Sequence, residues 1–217
     1  MEREALAELL RAVARGETAP EAALARLRHL PFEAVAAEGP PFAHLDHHRA
    51  LRQGIGEVVY CPGKEEAELV AIAERLVARS GRLLATRATP DQAAAMLARL
   101  PQAHHHERAR AVTVGGAEGR AGAVSLLTAG TADLAVAEEA RVTAEWLGSR
   151  VETLYDVGVA GLHRLLDRLD HLRRARVVVV AAGMDGVLAS VVGGLVERPV
   201  VAVPTSAGYG AHFGGLA

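Results

Sequence analysis

The chain has 217 residues, half of them apolar, which is enough to form the core of one large domain or two small ones. Its 24 basic and 26 acidic residues give a formal net charge of -2, which excludes the strongly basic surface of a protein that binds nucleic acid or anionic membranes. A single cysteine, Cys61, excludes an intrachain disulfide framework, and the charged N-terminus lacks the apolar segment of a signal peptide, so we expect a cytoplasmic protein.

The first half of the chain alternates helix and strand patterns behind two N-terminal helices. Apolar periodicity predicts helices over 2–14 and 20–28, and the stretch AEGPPF at 37–42 is typical of a linker. Further along, three strands and two helices alternate. They are predicted at 58–60, 64–79, 82–86, 90–99 and 110–114. We therefore expect a helical and small βαβ domain over residues 1–114.

Glycines mark a boundary after this domain. Residues 115–122, GGAEGRAG, have no apolar pattern and predict a linker. Beyond it, short apolar strands alternate with helices. They are predicted at 123–130, 133–147, 151–155, 159–170, 176–182, 187–197 and 199–203. Continuous apolar strands separated by helices indicate a parallel sheet covered on both faces, so we expect a doubly wound α/β domain over residues 123–217.

Four loops follow strands of this sheet at the edge where α/β proteins bind ligands. They lie at 130–133, 156–158, 183–186 and 204–210, and all contain glycine or small polar residues. Glycine lets backbone N–H groups approach an anion, and a helix N-terminus adds a partial positive charge. The sequence therefore predicts a ligand site at this edge of the sheet.

Some residues of these loops also have a structural interpretation. Thr131 and Asp133 are more typical of a helix cap than of a ligand contact, and Asp156 suits a cap before the next helix. Asp185 lies between two glycines in strongly apolar sequence, where a carboxylate needs a partner. The pattern leaves a structural and a functional role for Asp185 equally open.

Other chemically active side chains are weaker candidates. The histidines at 44, 47 and 48 and at 104–106 lack the spacing of helical metal ligands and favour a solvated surface. Cys61, at a strand end, is typical of a small buried hydrophobe. Gly63 and Lys64 lack the upstream glycine of a P-loop, but Lys64 can still contact a phosphate.

Several stretches resemble one known family. GTADLAVAEEA at 130–140, the run 181–206 and GYGAHFGGLA at 208–217 are similar to the LarB family, the pyridinium-3,5-biscarboxylic acid mononucleotide synthases that begin nickel-pincer cofactor synthesis. The similarity continues towards the N-terminus at Asp46, Arg49, Arg52, Gly54, 57–60 and 63–64. The second half is also related to the PurE mutase class of aminoimidazole ribonucleotide carboxylase. The resemblance implies a flavodoxin-like, three-layer α/β/α domain and a homo-octamer.

The resemblance also implies an activity. Members carboxylate C5 of the pyridinium ring of nicotinic acid adenine dinucleotide with CO2 or bicarbonate and hydrolyse the phosphoanhydride, which releases AMP. A pyridinium is electrophilic, so a thiolate can add to it and leave an enamine-like carbon that attacks CO2. Loss of a proton and of the thiolate restores aromaticity. The substrates implied for this chain are therefore the dinucleotide and CO2 or bicarbonate.

Carried onto this sequence, the resemblance implies a set of site residues. Asp185 and Asp156 are the catalytic candidates, and Asp185 is also the expected ligand of a magnesium ion at the diphosphate. The expected substrate contacts are Gly130, Thr131, Asp133, Gly158, Gly183, Met184, Gly186, Thr205, Ser206, Gly208, Tyr209, Gly210, Phe213, Arg49 and Lys64.

The chain departs from the family pattern in three places. Ala135 and Ala189 replace prolines, which should alter only loop stiffness. The nucleophilic cysteine of the family lies on a helix beyond residue 217, and Cys61 is in the wrong domain to replace it. We therefore expect a truncated chain with a nucleotide pocket, an exposed sheet edge at 199–203 and no carboxylase activity.

The same residues leave two alternative functions open and favour self-association of the chain. An inactive nucleotide-binding module competes with the carboxylase. A purine mutase ranks last, because the loops YDVGVAG and AAGMDGVLAS lack histidines and His163 lies further along the helix. Helix 187–197 is apolar nearly all round, and Gly193 with Gly194 allows close helix approach, which favours an oligomer.

Overall fold

The computed structural model describes residues 3–28, 33–36, 40–117, 121–184 and 186–206. The chain divides into two compact units, Met1–His105 with Val112–Gly115, and His106–Ala111 with Gly116–Ala217. The change of unit at Gly115 and Gly116 falls within the predicted glycine-rich linker. Each unit contains a four-stranded sheet of its own.

The first part of the chain contains short strands and five helices among the described residues. Its elements are α1 Arg3–Ala14, α2 Pro20–Arg28, β1 Glu33–Val35, β2 Ala43–Leu45, α3 Arg49–Gln53, β3 Val59–Tyr60, α4 Glu66–Ser80, β4 Leu83–Thr86, α5 Pro90–Arg99, β5 His104–His106 and β6 Ala111–Val114. Helices α4 and α5 each begin with a capping box. The side chain of the residue before the helix accepts the backbone N–H of the third helical residue, and the side chain of that third residue accepts the backbone N–H of the residue before the helix.

The sheet of this part is mixed. Its strand order is β3-β4-β6-β5. The parallel pair β3 and β4 with the α4 crossover forms the βαβ unit that the sequence predicts, whereas β6 runs antiparallel to β4. An alternation of strands and helices does not by itself specify the direction of each strand. Here β5 lies between α5 and β6, and only residues 107–110 connect β5 to β6, so β6 does not directly follow a helix.

The linker predicted at 37–42 connects two short strands that the sequence did not predict. Strands β1 and β2 pair antiparallel, with Glu33 opposite Leu45 and Val35 opposite Ala43. The backbone N–H of Phe42 donates to the carbonyl of Val35, and the predicted linker at 37–42 falls between these two strands. Strands of three residues carry too short an alternation to be detected by pattern.

The second part of the chain is a doubly wound domain. Its elements are β7 Ala121–Thr128, α6 Leu134–Trp146, β8 Ser149–Leu154, α7 Leu162–Leu166, α8 Leu169–Arg174, β9 Val177–Ala182, α9 Val187–Gly193 and β10 Val200–Pro204, with 3-10 turns at Thr131–Asp133 and Val159–Gly161. The strand order is β10-β9-β7-β8 and every neighbouring pair is parallel. Read from β8, this is the flavodoxin-like order 2-1-3-4, which confirms the predicted fold class.

Adjacent residues of β7 point to opposite faces and form the two sides of this domain. Leu126 packs with Ala137 of α6 on one face. Leu127 lies in a second cluster with Leu165 of α7 and Leu188 of α9 on the other. Helices therefore cover both faces, in three layers, and each fully buried leucine contributes about 2 kcal/mol through removal of its side chain from water.

Two predicted helices differ from the structure. The single helix expected over 159–170 is a 3-10 turn at Val159–Gly161 followed by α7 and α8, because Gly161 leaves the helical conformation, with φ of -124° and ψ of 56°, and the chain turns again after Leu166. The helix expected over 187–197 ends at Gly193. Two consecutive glycines there have the lowest helix propensity after proline, which explains the early end.

Strand β10 is an edge strand among the described residues, and the side chain of Val201 on it is 48% exposed. None of the described helices combines the length and apolar character that a bilayer-crossing helix requires.

Candidate functional site

A cleft of about 580 Å³ lies at the carboxyl ends of β7, β8 and β9. Strands β7 and β9 are neighbours, and the chain continues from them in opposite directions across the sheet, which is the position where doubly wound domains bind ligands. Six predicted contact residues line the cleft, namely Gly130, Thr131, Asp133, Gly158, Gly183 and Met184. Eight more were not predicted, namely Ala129, Ala132, Val159, Ala160, Arg164, Ala182, Val187 and Leu188.

Asp133 connects the first loop to the end of β10. Its Oδ2 accepts a 3.0 Å hydrogen bond from the backbone N–H of Gly130, and its Oδ1 accepts a 2.6 Å hydrogen bond from Thr205 Oγ1. Asp133 is 4% exposed and Thr205 is 3% exposed. Because both carboxylate oxygens have partners within the protein, Asp133 positions the loop rather than presenting a free carboxylate to the cleft.

The second loop is held against the first. Thr128, fully buried at the end of β7, accepts the N–H of Asp156 at Oγ1 and the N–H of Val157 at its carbonyl, both at 3.0 Å. A Cβ on Gly158 would lie 2.6 Å from the carbonyl oxygen of Ala129. Only glycine therefore allows the two loops to approach this closely.

Asp156 and Met184 adopt left-handed backbone conformations, with φ of 59° and 56°. Such conformations are unfavourable by roughly 1 kcal/mol for residues with a Cβ. The side chain of Asp156 pairs with Arg164 Nη1, so it does not serve as the helix cap that the sequence allowed. Both residues lie at strand ends, Asp156 after β8 and Met184 after β9.

Arg164 is the cation of the cleft: no other lysine or arginine appears among the described residues that line it. It lies in the short helix α7, and a Cβ on Gly161 would meet its Nε at 2.6 Å. The guanidinium therefore lies close over the Gly161 backbone. Its five N–H donors exceed what the single ion pair with Asp156 uses. The arrangement suits an anion at the cleft rim.

A second cavity, of about 520 Å³, lies beside edge strand β8 and shares Arg164 with the cleft. Its lining is more polar and includes Tyr155, Asp156, Asp167 and Arg168. The hydroxyl of Tyr155 donates a hydrogen bond to Glu138. Burial and this hydrogen bond raise the pKa of Tyr155 to about 12, so its ring is neutral near pH 7.

The third loop brings Gly183 and Met184 to the cleft. Gly186 does not line it but has a φ of 66°, donates its N–H to the Gly183 carbonyl and immediately precedes α9. Asp185, the predicted catalytic and magnesium-binding residue, lies outside the described residues. Over the described ranges, no three histidine, cysteine, aspartate or glutamate side chains group in a way that could hold a metal ion. The carboxylate of Asp133 is already engaged, so the described lining of the cleft offers no free carboxylate, and the magnesium expectation depends on Asp185 alone.

The remaining predicted contacts of the second unit divide into two groups. Thr205 reaches the site through Asp133, and Ser206 is exposed after β10. Gly208, Tyr209, Gly210 and Phe213 lie outside the described residues.

Arg49, Lys64 and Cys61 belong to the N-terminal unit. Arg49 lies 3.7 Å from Asp46, and Lys64 Nζ donates to the Tyr60 carbonyl at 2.8 Å. Cys61 is fully buried, and burial raises the pKa of its thiol from 9.0 to about 11. A thiol with this pKa is almost wholly protonated near pH 7, as the interpretation of Cys61 as a small buried hydrophobe requires.

Sequence reasoning missed Arg164 and Arg168 because nothing in their local pattern separates them from the other basic residues. The signal that could have found Arg164 is its position, one helical turn after a glycine-containing loop at a strand end. His163, beside it, is exposed and is not among the cleft-lining residues.

Two comparisons with known proteins bear on this site. The family model described as "LarB/PurE-like N-terminal domain" matches residues 36–116. An uncharacterised protein of Methanocaldococcus jannaschii, MJ0165, is 37% identical over 176 residues, which cover 76% of this chain and 69% of that relative. The first match lies before the doubly wound domain, whereas the second is too long to lie within either unit alone.

Proposed function

Because the chain belongs to the LarB/PurE-like family, a carboxylase-related family, we propose that it carboxylates C5 of the pyridinium ring of nicotinic acid adenine dinucleotide. CO2 or bicarbonate supplies the carbon, and hydrolysis of the phosphoanhydride releases AMP. The observation that carries the proposal is the cleft at the carboxyl ends of β7 and β9, where glycine loops surround an apolar floor and Arg164 supplies a cation.

The proposed chemistry divides into steps that make different demands on the protein. Addition of a thiolate to the pyridinium forms a C–S bond and leaves an enamine-like ring carbon. That carbon attacks CO2 to form the new C–C bond, after which loss of the ring proton and of the thiolate restores aromaticity. The buried wall residue Leu188 keeps water from this carbon, and Arg164 offsets the diphosphate charge.

One observation favours a second candidate, a nucleotide-binding module that does not turn its ligand over. The single cysteine of the sequence, Cys61, is buried with a raised pKa and lies in the N-terminal unit. It does not meet the demand for an accessible thiolate. A module of this kind would bind the dinucleotide at the cleft and release no AMP.

The deciding experiment combines binding and turnover. The chain is incubated with nicotinic acid adenine dinucleotide and 13C-bicarbonate, and mass spectrometry follows both the carboxylated mononucleotide and AMP. The carboxylase proposal predicts both products in equal amounts. A rise in melting temperature without AMP supports the module instead. Turnover of a carboxyaminoimidazole ribonucleotide supports the purine mutase and overturns both.

Arg164→Ala tests whether the cleft is the site. Loss of a charge-assisted contact to the diphosphate should weaken dinucleotide binding about tenfold or more. Arg150→Ala is the matched control, since Arg150 is an exposed arginine of β8 whose ion pair with Glu152 lies outside the cleft lining. Equal affinities in the two variants would exclude the cleft as the site.

We further propose a homo-oligomer, an octamer of the PurE type, and magnesium dependence through Asp185. Exposed apolar side chains on α9 and β10, Val187 and Val201, support self-association. Light scattering that shows a monomer would contradict the octamer. Dinucleotide affinity that is the same with magnesium and with EDTA would contradict the metal.

A further inference from the structure

We propose that the two cavities on either side of Arg164 bind the two halves of one dinucleotide. The pyridinium half occupies the apolar cleft, the diphosphate crosses Arg164, and the adenylate half occupies the polar cavity beside β8. This inference rests on the proposed function and assigns a second subsite to it.

The geometry begins with the shared arginine. Arg164 lines both the cleft of about 580 Å³ and the neighbouring cavity of about 520 Å³. Each volume lies in the range of roughly 300–1,000 Å³ typical of small-molecule sites. A ligand with two bulky ends and an anionic centre matches two cavities that meet at a guanidinium. A mononucleotide would fill only one of them.

The linings of the two cavities differ in polarity, and this difference assigns each half of the dinucleotide to one cavity. The cleft is walled by Ala160, Val187 and Leu188, whereas the second cavity presents Tyr155, Asp167 and Arg168. The apolar lining suits the ring that reacts, because its enamine-like carbon must attack CO2 rather than take a proton from water. The ring that reacts therefore belongs in the cleft, and the half that leaves belongs in the polar cavity.

Arg164 is held in position for this role. Asp156, in a left-handed conformation at the end of β8, pairs with one nitrogen of the guanidinium. The Gly161 backbone lies beneath Nε, close enough that a Cβ there would displace the side chain. The remaining donors of the planar group can form a bidentate contact with phosphate oxygens.

The polar cavity contains groups that suit an adenosine monophosphate. Tyr155 supplies an aromatic ring, and its hydroxyl is already engaged by Glu138. Aromatic rings stack on nucleobases, and a carboxylate such as Asp167 can accept hydrogen bonds from ribose hydroxyls. Arg168, in weak contact with Asp167 at 3.6 Å, adds a second cation for the adenylate phosphate.

The experiment compares the whole dinucleotide with nicotinic acid mononucleotide by calorimetry on the full chain. Arg168→Ala should weaken dinucleotide binding about tenfold and leave mononucleotide binding unchanged, because the mononucleotide has no adenylate half. Arg164→Ala should weaken both ligands. Arg173→Ala, an exposed arginine of α8 paired with Asp170, is the control and should weaken neither.

The outcomes separate the subsite from the function. If Arg168→Ala binds the dinucleotide as tightly as the wild type, the second subsite is wrong while the proposed function stands. If the variant weakens both ligands equally, the assignment of the halves is wrong. If the wild-type chain binds no dinucleotide, the proposed function and the subsite both fail.

Discussion

Thr205 Oγ1 donates a 2.6 Å hydrogen bond to Asp133 Oδ1, although the two residues lie 72 positions apart in the chain. The contact joins the loop after β7 to the chain leaving β10, on either side of the central strand β9. Both side chains are buried, so neither loses its partner to water. The bond therefore fixes the spacing of two loops that follow parallel strands at the ligand-binding edge.

Thr205→Val should destabilise the protein by about 2 kcal/mol, because it leaves a buried carboxylate oxygen without a donor. Urea unfolding measures this change, and the midpoint should fall without a change in slope. Thr205→Ser keeps the hydroxyl and is the matched control, with stability close to the wild type. If both variants unfold alike, the hydrogen bond contributes nothing to stability.

Gly158→Ala should cost about 1–3 kcal/mol and lower dinucleotide affinity, because the new Cβ would lie 2.6 Å from the Ala129 carbonyl, a backbone atom that cannot move alone. Gly130→Ala is the control, since Gly130 is extended and a Cβ there meets nothing within 4 Å. Thermal unfolding should separate the two variants. A Gly158→Ala protein as stable as the wild type would show that the loops can separate freely.

The location of the cleft could be predicted from the sequence, whereas its cation could not. Glycine loops at 130, 158 and 183 follow apolar strands, and parallel strands necessarily bring their carboxyl ends to one edge. Arg164 reaches that edge from the short helix α7, with its guanidinium over Gly161, whereas the sequence predicts one continuous helix over 159–170. Local periodicity does not contain that information.

The roles of the acidic residues were also only partly predictable. The sequence left Asp133 between a cap and a ligand contact, and its second partner, Thr205, is too distant in the chain for any local pattern to indicate. Asp156 was expected as a cap or a catalytic group, but it pairs with Arg164 from a left-handed backbone. The short strands β1 and β2 were missed because three residues cannot establish an alternation.

Gly161→Ala should weaken dinucleotide binding severalfold while leaving stability within about 0.5 kcal/mol of the wild type. The added Cβ displaces Arg164 at its flexible end, and the backbone of Gly161 has a negative φ that alanine accepts. Calorimetry and thermal unfolding on the same preparation check both parts. Unchanged affinity would show that the position of Arg164 over Gly161 does not matter for binding.

Cys61 should make the stability of the protein depend on pH in the alkaline range. Burial raises the pKa of its thiol from 9.0 to about 11, so the folded state holds the proton more tightly than the unfolded chain. The stabilisation is fully present below pH 9 and is lost as the pH rises towards 11. Its full size is roughly 2–3 kcal/mol, since each unit of pKa difference corresponds to about 1.4 kcal/mol.

Cys61→Ala isolates this contribution from other groups that ionise in the same range, among them Tyr155, whose pKa is raised to about 12. Urea unfolding of both proteins at pH 8 and at about pH 10.5 should show a stability difference that shifts by about 2 kcal/mol in favour of the alanine variant at the higher pH. A difference that stays constant would mean that the thiol ionises as easily in the folded protein as in the unfolded chain. The argument against Cys61 as a nucleophile would then rest on its burial alone and no longer on its pKa.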